Sequence, residues 1–144
     1  MSAEIVRDAM VPEPTTLGAD ATAQEAGRCF ADNREVRAIF VTEDGGRLLG
    51  VVTRKTLVRE VVAAGLEPGA VTLREIAEPP NFTLDAGLGL EGAFRFLEEE
   101  DLERVPVVEE GGRLVGVLSR AVVQRRLAED EPPEDAPEPD SVVL

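Results

Sequence analysis

The apolar positions of this chain form short strand-like runs separated by turn residues. Residues 48–52, Leu-Leu-Gly-Val-Val, are one such run, and residues 36–41 are another. Asp44, Gly45 and Gly46 stand between them, and an acidic residue followed by two glycines is typical of a tight turn. The pattern predicts a β-hairpin, with one strand over residues 36–41 and the other over residues 48–52.

A stretch with helical spacing precedes the hairpin. Thr22, with Glu25 three residues later, is typical of a helix start, and the helix is predicted over residues 23–33. The residues that share its apolar face are Ala26, Cys29 and Phe30. Phe30 and the Cys29 thiol are therefore expected in the core.

A second helix is predicted directly after the hairpin. Thr53 is its expected N-cap, and Gly65 is a natural C-terminal stop. The residues predicted to form its buried side are Leu57, Val58, Val61 and Val62.

The hairpin and the helix after it occur twice. Residues 44–54 read Asp-Gly-Gly-Arg-Leu-Leu-Gly-Val-Val-Thr-Arg, and residues 110–120 read Glu-Gly-Gly-Arg-Leu-Val-Gly-Val-Leu-Ser-Arg. Gly116 thus follows Gly50 by 66 residues. An echo at a fixed period indicates a duplicated structural unit. We expect a first repeat at 1–65, a linker at 66–72 and a second repeat at 73–130.

Composition limits the kind of core and the kind of partner. The chain is 43% apolar but has no Trp or Tyr and only five Phe, so the core must be mainly aliphatic. A formal net charge of −14 argues against nucleic acid or an anionic membrane as a partner, because both require a basic surface.

Several kinds of chemistry are excluded by the residues that are missing. There is no His, and Cys29 is the only Cys. An internal disulfide, a Cys/His zinc site and His-based acid–base catalysis are therefore ruled out. No other catalytic constellation is evident, so we expect neither an enzyme nor a metal site.

The last 14 residues differ in composition from the rest. Residues 131–144 contain five acids, four prolines and no base, which predicts a disordered acidic tail. No apolar run approaches the ~18–20 residues of a membrane span, and the N-terminus lacks the order of a signal peptide. A soluble, cytoplasmic protein is expected.

The duplicated pattern resembles a tandem CBS-domain pair, or Bateman module, over about residues 5–129. In the first repeat the resemblance rests on residues 6–10, 20–22 with 25–26, and 50–53. In the second repeat it rests on Asp85-Ala86, 104–108 and 116–119. The resemblance implies an α/β (α+β) fold with two pseudo-twofold-related β-α-β-β-α repeats packed sheet to sheet.

The resemblance also implies a type of function. Such modules hold adenosine ligands, namely AMP, ADP, ATP or S-adenosylmethionine, in clefts between the repeats. They pass the signal to a regulated protein partner, and they usually form homodimers with the shape of a flat disc. No cofactor is required.

The ligand signature of these modules is a hydroxyl residue followed three positions later by Asp, at the start of the last helix. The hydroxyl faces the phosphates and the Asp accepts hydrogen bonds from the ribose. Here the matching positions are Thr53 with Thr56, and Ser119 with Val122, so both repeats lack the Asp. We therefore expect weak binding or a single occupied cleft, the one that contains Thr56.

Basic and apolar residues complete the predicted site. Arg104 occupies a position from which nucleotide-binding relatives reach a phosphate, and Arg37 is its nearest counterpart in the first repeat. Arg54 and Arg120 follow the two hydroxyl residues. Val51 and Val117 are expected either in the core or beside the adenine. Thr53 and Ser119 could instead be plain N-caps, and the arginines solvated surface residues.

Two hypotheses follow. The first is a stand-alone regulatory module that senses an adenine nucleotide weakly or at one cleft. The second is a ligand-free dimerisation or protein-interaction module that regulates a partner.

Overall fold

The computed structural model describes residues 4–12 and 14–130, and the predicted tail at 131–144 lies outside them. Before the linker the elements are α1 (Val6–Ala9), β1 (Val11–Pro12), β2 (Thr16–Gly18), α2 (Ala23–Asp32), β3 (Ile39–Glu43), β4 (Arg47–Val52) and α3 (Arg54–Leu57), which continues as a π-helical turn (Val58–Val62). After it they are α4 (Leu73–Ile76), β5 (Leu84–Asp85), α5 (Leu90–Glu99), β6 (Arg104–Glu109), β7 (Arg113–Ser119) and α6 (Arg120–Asp130).

The strands follow the order β2-β3-β4-β7-β6-β5, and β1 pairs with β7. β2 is parallel to β3 and β5 is parallel to β6, whereas both hairpins are antiparallel. The two halves of the sheet meet at one pair of residues, Arg47 and Arg113. Each half has the order strand, helix, strand, strand, helix, so the predicted fold class is confirmed.

Most of the local predictions are confirmed. The Glu25 backbone N–H donates to the Thr22 hydroxyl at 3.1 Å, which makes Thr22 the N-cap of α2. Gly45 and Gly111 take positive φ angles of 79° and 75° in the two hairpin turns, as turn glycines can. Gly65 follows the π-helical turn with φ 71°.

Two predictions were wrong in detail. The first hairpin strand covers Ile39–Glu43 and not residues 36–41, because residues 36–38 have no ladder partner on β4. Val58 and Val62 were predicted on a buried side but are 57% and 70% exposed, whereas Val61 is 2% exposed. The apolar stripe on this helix is wider than the surface against which it packs.

The two hydrophobic cores exchange their N-terminal helices. Val6 and Ala9 of α1 pack into the core formed by the second repeat. Conversely, Leu73 and Ile76 of α4 pack into the core of the first repeat. Each repeat therefore completes its core with the short helix at the start of the other repeat.

Backbone segments cross closely where these helices are exchanged. The Val51 N–H donates to Glu78 O at 2.8 Å, and the Glu78 N–H donates to Val51 O at 3.0 Å. A Cβ atom on the buried Gly50 would lie 2.8 Å from Glu78 O, and one on the buried Gly116 would lie 2.8 Å from Val11 O. The crossings thus explain why both copies of the motif carry Gly at this position.

Each exchanged helix also forms an ion pair with the repeat into which it packs. Arg7 of α1 pairs with Glu109, which also pairs with Arg113. In the equivalent place, Arg74 of α4 pairs with Glu43 at 3.1 Å. The hydrogen bond to Glu43 raises the pKa of the Arg74 guanidinium above its ordinary value. The arginines of these pairs are about half exposed, so the pairs contribute little to stability.

Within the described part of the chain, no helix combines the length and the apolar character that crossing a bilayer requires.

Replacing either crossing glycine by alanine is expected to destabilise the protein. Gly50→Ala and Gly116→Ala force a methyl group against backbone oxygen and should each cost about 1–3 kcal/mol in free energy of unfolding. Gly18→Ala is the control, because its Cβ would have no atom within 4 Å. Urea unfolding followed by circular dichroism measures the effect. Equal stability of all three variants would contradict the close crossing.

Candidate ligand-binding cleft

A cleft of about 570 Å³ opens between the two repeats. Most of the residues that line it correspond across the duplication, each pair separated by 66 positions. The pairs are Pro14 and Pro80, Thr15 and Asn81, Val36 and Leu102, Ala38 and Arg104, Phe40 and Pro106, and Val51 and Val117. The cleft therefore lies across the pseudo-twofold relation between the repeats and belongs to neither one alone.

The floor and sides of the cleft are largely apolar. Val51 and Val117 are half-buried and lie at the strand crossings, beside Gly50 and Gly116. Phe82 also lines the cleft, and its ring meets that of Phe96 edge to face at a centroid distance of 5.2 Å. Such walls suit a flat, apolar ring system.

Two guanidinium groups reach the cleft. Arg37 precedes β3, and Arg104 is the first residue of β6. Among the described residues, neither guanidinium donates a hydrogen bond or forms an ion pair, and Glu35 is the acidic residue in the lining. The cleft lining is thus locally positive in a strongly acidic chain, which favours an anionic ligand group.

The second-repeat end of the cleft also offers a hydroxyl. Ser119 is opposite Arg104 in the β6–β7 register, and both line the cleft. The Val122 N–H donates to Ser119 Oγ at 3.4 Å, a long cap contact at the start of α6. Because Ser119 Oγ acts as an acceptor in this contact, its hydroxyl hydrogen is available to donate to a ligand oxygen.

The equivalent hydroxyls of the first repeat are used within the protein. The Thr53 N–H donates to Thr56 Oγ1 at 3.0 Å, and the Thr56 N–H donates to Thr53 Oγ1 at 3.2 Å. Thr56 is 1% exposed, and neither threonine lines the cleft. Thr53 and Thr56, which were predicted to contact a ligand, instead cap the start of α3 with two reciprocal hydrogen bonds.

Arg54 and Arg120 also lie away from the cleft lining. Arg54 donates to the carbonyl oxygens of Val36 at 2.7 Å and Phe30 at 3.1 Å, and its Cζ lies 4.8 Å from the centre of the Phe30 ring. It thereby closes the C-terminal end of α2 and holds Val36 at the cleft rim. Arg120 pairs with Asp101 at 3.3 Å.

Of the predicted site residues, the structure brings Arg37, Val51, Arg104, Val117 and Ser119 together, whereas Thr53, Arg54, Thr56 and Arg120 lie outside the lining. Sequence reasoning missed Phe40, Phe82 and the Pro14/Pro80 pair. The proline pair was visible in the sequence as an echo at the same 66-residue period.

A second cavity of about 460 Å³ lies beside the segment 10–16. It includes Arg7 and Arg113, but both pair with Glu109. Among residues 4–12 and 14–130, no three His, Cys, Asp or Glu side chains are grouped to hold a metal ion.

The comparisons with known proteins agree on one family. The family model described as CBS domain matches residues 6–63 and again residues 73–129. Hypoxic response protein 1 of Mycobacterium tuberculosis is 32% identical over 123 residues, which cover 85% of this chain and 85% of the relative.

Solved structures show the same fold. Hypoxic Response Protein I with two coordinated zinc ions is 30% identical with a TM-score of 0.72, over 85% of this chain and 98% of that one. CBSX2 in complex with AMP is 23% identical with a TM-score of 0.68, over 88% and 98%. The cytosolic domain of the Mg²⁺ channel MgtE in complex with ATP is 24% identical with a TM-score of 0.69, over 87% and 49%.

Removing the Arg54 side chain is expected to destabilise the first repeat. Arg54→Ala loses hydrogen bonds to backbone carbonyls and the contact with Phe30, which together should cost about 1–2 kcal/mol in free energy of unfolding. Arg125→Ala is the matched control, an exposed arginine on α6 that should change stability by less than about 0.5 kcal/mol. Urea unfolding measures both. An Arg54→Ala variant as stable as the control would show that Arg54 is only a solvated surface residue.

Proposed function

The chain belongs to the CBS-domain family, and we propose that it is a regulatory module that binds one adenine nucleotide in the cleft between its repeats. The ligands to consider are AMP, ADP, ATP and S-adenosylmethionine. Two structurally similar proteins are described in complex with AMP and with ATP, which supports this class of ligand. The module is proposed to act on a protein partner and not to catalyse a reaction.

The observation that carries the proposal is the combination of apolar walls with two unpaired guanidinium groups. We assign the adenine ring to the apolar wall that includes Val51 and Val117, where its faces would contact branched aliphatic side chains. A phosphate at the second-repeat end would meet Arg104 and Ser119. Charge-assisted hydrogen bonds of this kind are stronger than neutral ones.

The two ends of the cleft are not equivalent. In the first repeat, Thr53 and Thr56 satisfy each other, and Ala38 stands where the second repeat has Arg104. The phosphate is therefore assigned to the Arg104 end, and one ligand is expected per chain. Affinity should be modest, because neither repeat has the Asp that would bind a ribose.

We do not propose a zinc site of the kind named for the mycobacterial relative. The chain has no His and a single Cys, whereas zinc sites in proteins are built mainly from these two residue types.

A ligand-free interaction module remains the second candidate. It is favoured by Val122, which replaces the expected ribose ligand, and by the burial of Thr56 at the equivalent position. In that case the cleft would hold no nucleotide, and regulation would depend on protein contacts alone.

Calorimetric and thermal-shift titrations test the proposal. AMP should raise the melting temperature of the wild type, because a ligand that binds only the native state stabilises it. Arg104→Ala should weaken AMP binding roughly ten- to a hundredfold, the loss expected for a charge-assisted hydrogen bond. Arg125→Ala should bind AMP as the wild type does.

Adenosine provides a further control. It lacks the phosphate, so its affinity should be nearly the same for the wild type and Arg104→Ala. If AMP, ADP, ATP and S-adenosylmethionine all leave the melting temperature unchanged, the nucleotide proposal fails and the ligand-free candidate is preferred.

A further inference from the structure

The two repeats carry opposite charges on the surfaces that flank the cleft. In the first repeat, residues 28–38 and 53–55 contain five bases and two acids. The residues that follow them by 66 positions, 94–104 and 119–121, contain three bases and five acids. Both sets contribute to the cleft lining. The surface beside the cleft is therefore basic on the side of the first repeat and acidic on the side of the second.

The bases of the first repeat are grouped where α2 ends and α3 begins. Arg54 donates to Val36 O at 2.7 Å and to Phe30 O at 3.1 Å, so the start of α3 is held against the end of α2. All five bases are exposed. We call them the basic face, which consists of Arg28, Arg34, Arg37, Arg54 and Lys55.

No carboxylate in the described part of the chain neutralises the basic face. Arg54 donates to carbonyl oxygens, and the other four bases form no ion pair among the described residues. Asp32 and Glu35, the acids of the same segments, form none with them. In the second repeat, by contrast, Arg120 pairs with Asp101 at 3.3 Å. The basic face therefore retains positive charge that an acidic segment can neutralise.

We propose that the acidic tail, residues 131–144, binds the basic face of its own chain. The tail contains no base, and its five carboxylates belong to Glu131, Glu134, Asp135, Glu138 and Asp140. Blocks of like charge often serve as interaction segments, and here five carboxylates meet five cations. Since Arg37 also lines the cleft, the bound tail lies at its first-repeat rim. The proposal does not depend on nucleotide binding.

The chain is long enough to make this contact. α6 begins at Arg120, directly after Ser119 at the cleft, and its 11 residues span about 16 Å. Residues 131–144 extend over at most about 50 Å. Arg37 lines the same cleft as Ser119. About a third of the reach of the tail returns it along α6, and the rest is available to cross the cleft.

Charge also selects the first repeat over the second. α6 packs against α5, and the residues that end α5 and follow it are mostly acidic. They are Glu98, Glu99, Glu100, Asp101 and Glu103. These groups repel the tail over about 10 Å at 0.1 M salt, whereas the basic face attracts it. Attachment to the same chain gives the tail an effective concentration of roughly millimolar, so individually weak exposed ion pairs suffice.

A comparison of amide resonances tests the proposal without changing any described residue. In a neutral-tail variant of the full chain, each carboxylate of the tail is replaced by its amide. The substitutions are Glu131→Gln, Glu134→Gln, Asp135→Asn, Glu138→Gln and Asp140→Asn. At low salt, the amide resonances of Arg34 and Lys55 should differ between the wild type and this variant. Those of their second-repeat counterparts, Glu100 and Ala121, should coincide. Coincident resonances in both repeats, or differences in the second repeat alone, would overturn the proposal.

A nitroxide in the tail locates the contact. In a Cys29→Ser background, a label attached through Ala136→Cys should weaken the resonances of Arg34 and Lys55 more than those of Glu100 and Ala121. Raising the salt from 0.1 M to 1 M shortens the Debye length from about 10 Å to about 3 Å, so it should restore the intensities. Equal losses in both repeats, or losses that salt does not change, would contradict docking on the basic face.

Charge reversal provides the matched control. In the labelled protein, Arg34→Glu combined with Lys55→Glu should abolish the loss of intensity, which is then measured at Arg37. Arg95→Glu should preserve it, because Arg95 is an exposed arginine of α5 without an ion pair in the described part of the chain. An amide spectrum that retains its dispersion shows that each variant is folded. A loss of intensity that survives the double reversal excludes the basic face as the docking site.

Mixed samples distinguish contact within a chain from contact between chains. Nitroxide-labelled chains are added to isotopically labelled chains that carry no nitroxide. The proposal predicts that the Arg34 and Lys55 resonances keep their intensity in this mixture. A loss there would show that the tail binds another copy, and it would overturn the assignment to the same chain.

Discussion

The structure depends on two points where backbone segments pass within contact distance, at Gly50 and Gly116. There the segments that follow α1 and α4 lie against the strands of the other repeat, and a side chain as small as a methyl group would meet backbone oxygen. These crossings allow each short helix to enter the opposite core. They also bring Val51 and Val117, the next residues along the strands, to the wall of one shared cleft.

Because the repeats exchange helices, residues of both repeats line one cleft, but the two ends of that cleft differ. The crossings and the cores are alike in the two repeats, whereas the helix starts differ. In the first repeat, Thr53 and Thr56 cap each other, and Arg54 is bound to the end of α2. In the second repeat, Arg104 and Ser119 remain at the cleft. One end is structural, and the other retains groups suited to an anion.

The sequence predicted what is encoded locally. The hairpin turns, the Thr22 cap and the duplicated element order follow from residue types over a few positions, and all are confirmed. The exchange of α1 and α4 was not predicted, because a four-residue helix carries no signal for the core into which it packs. The role of Arg54 depends on contacts 18 and 24 residues away, and the exposure of Val58 depends on how far the neighbouring elements extend. These features depend on contacts between elements distant in sequence, so local residue patterns do not predict them.

We propose that the two repeats share one ligand site. An AMP titration followed by methyl resonances in the nuclear magnetic resonance spectrum tests it most directly, with Val51 and Val117 assigned as reporters. If the site is shared, the resonances of both residues shift together and saturate with a single dissociation constant at one AMP per chain. Shifts confined to one repeat, or two different constants for Val51 and Val117, would contradict it.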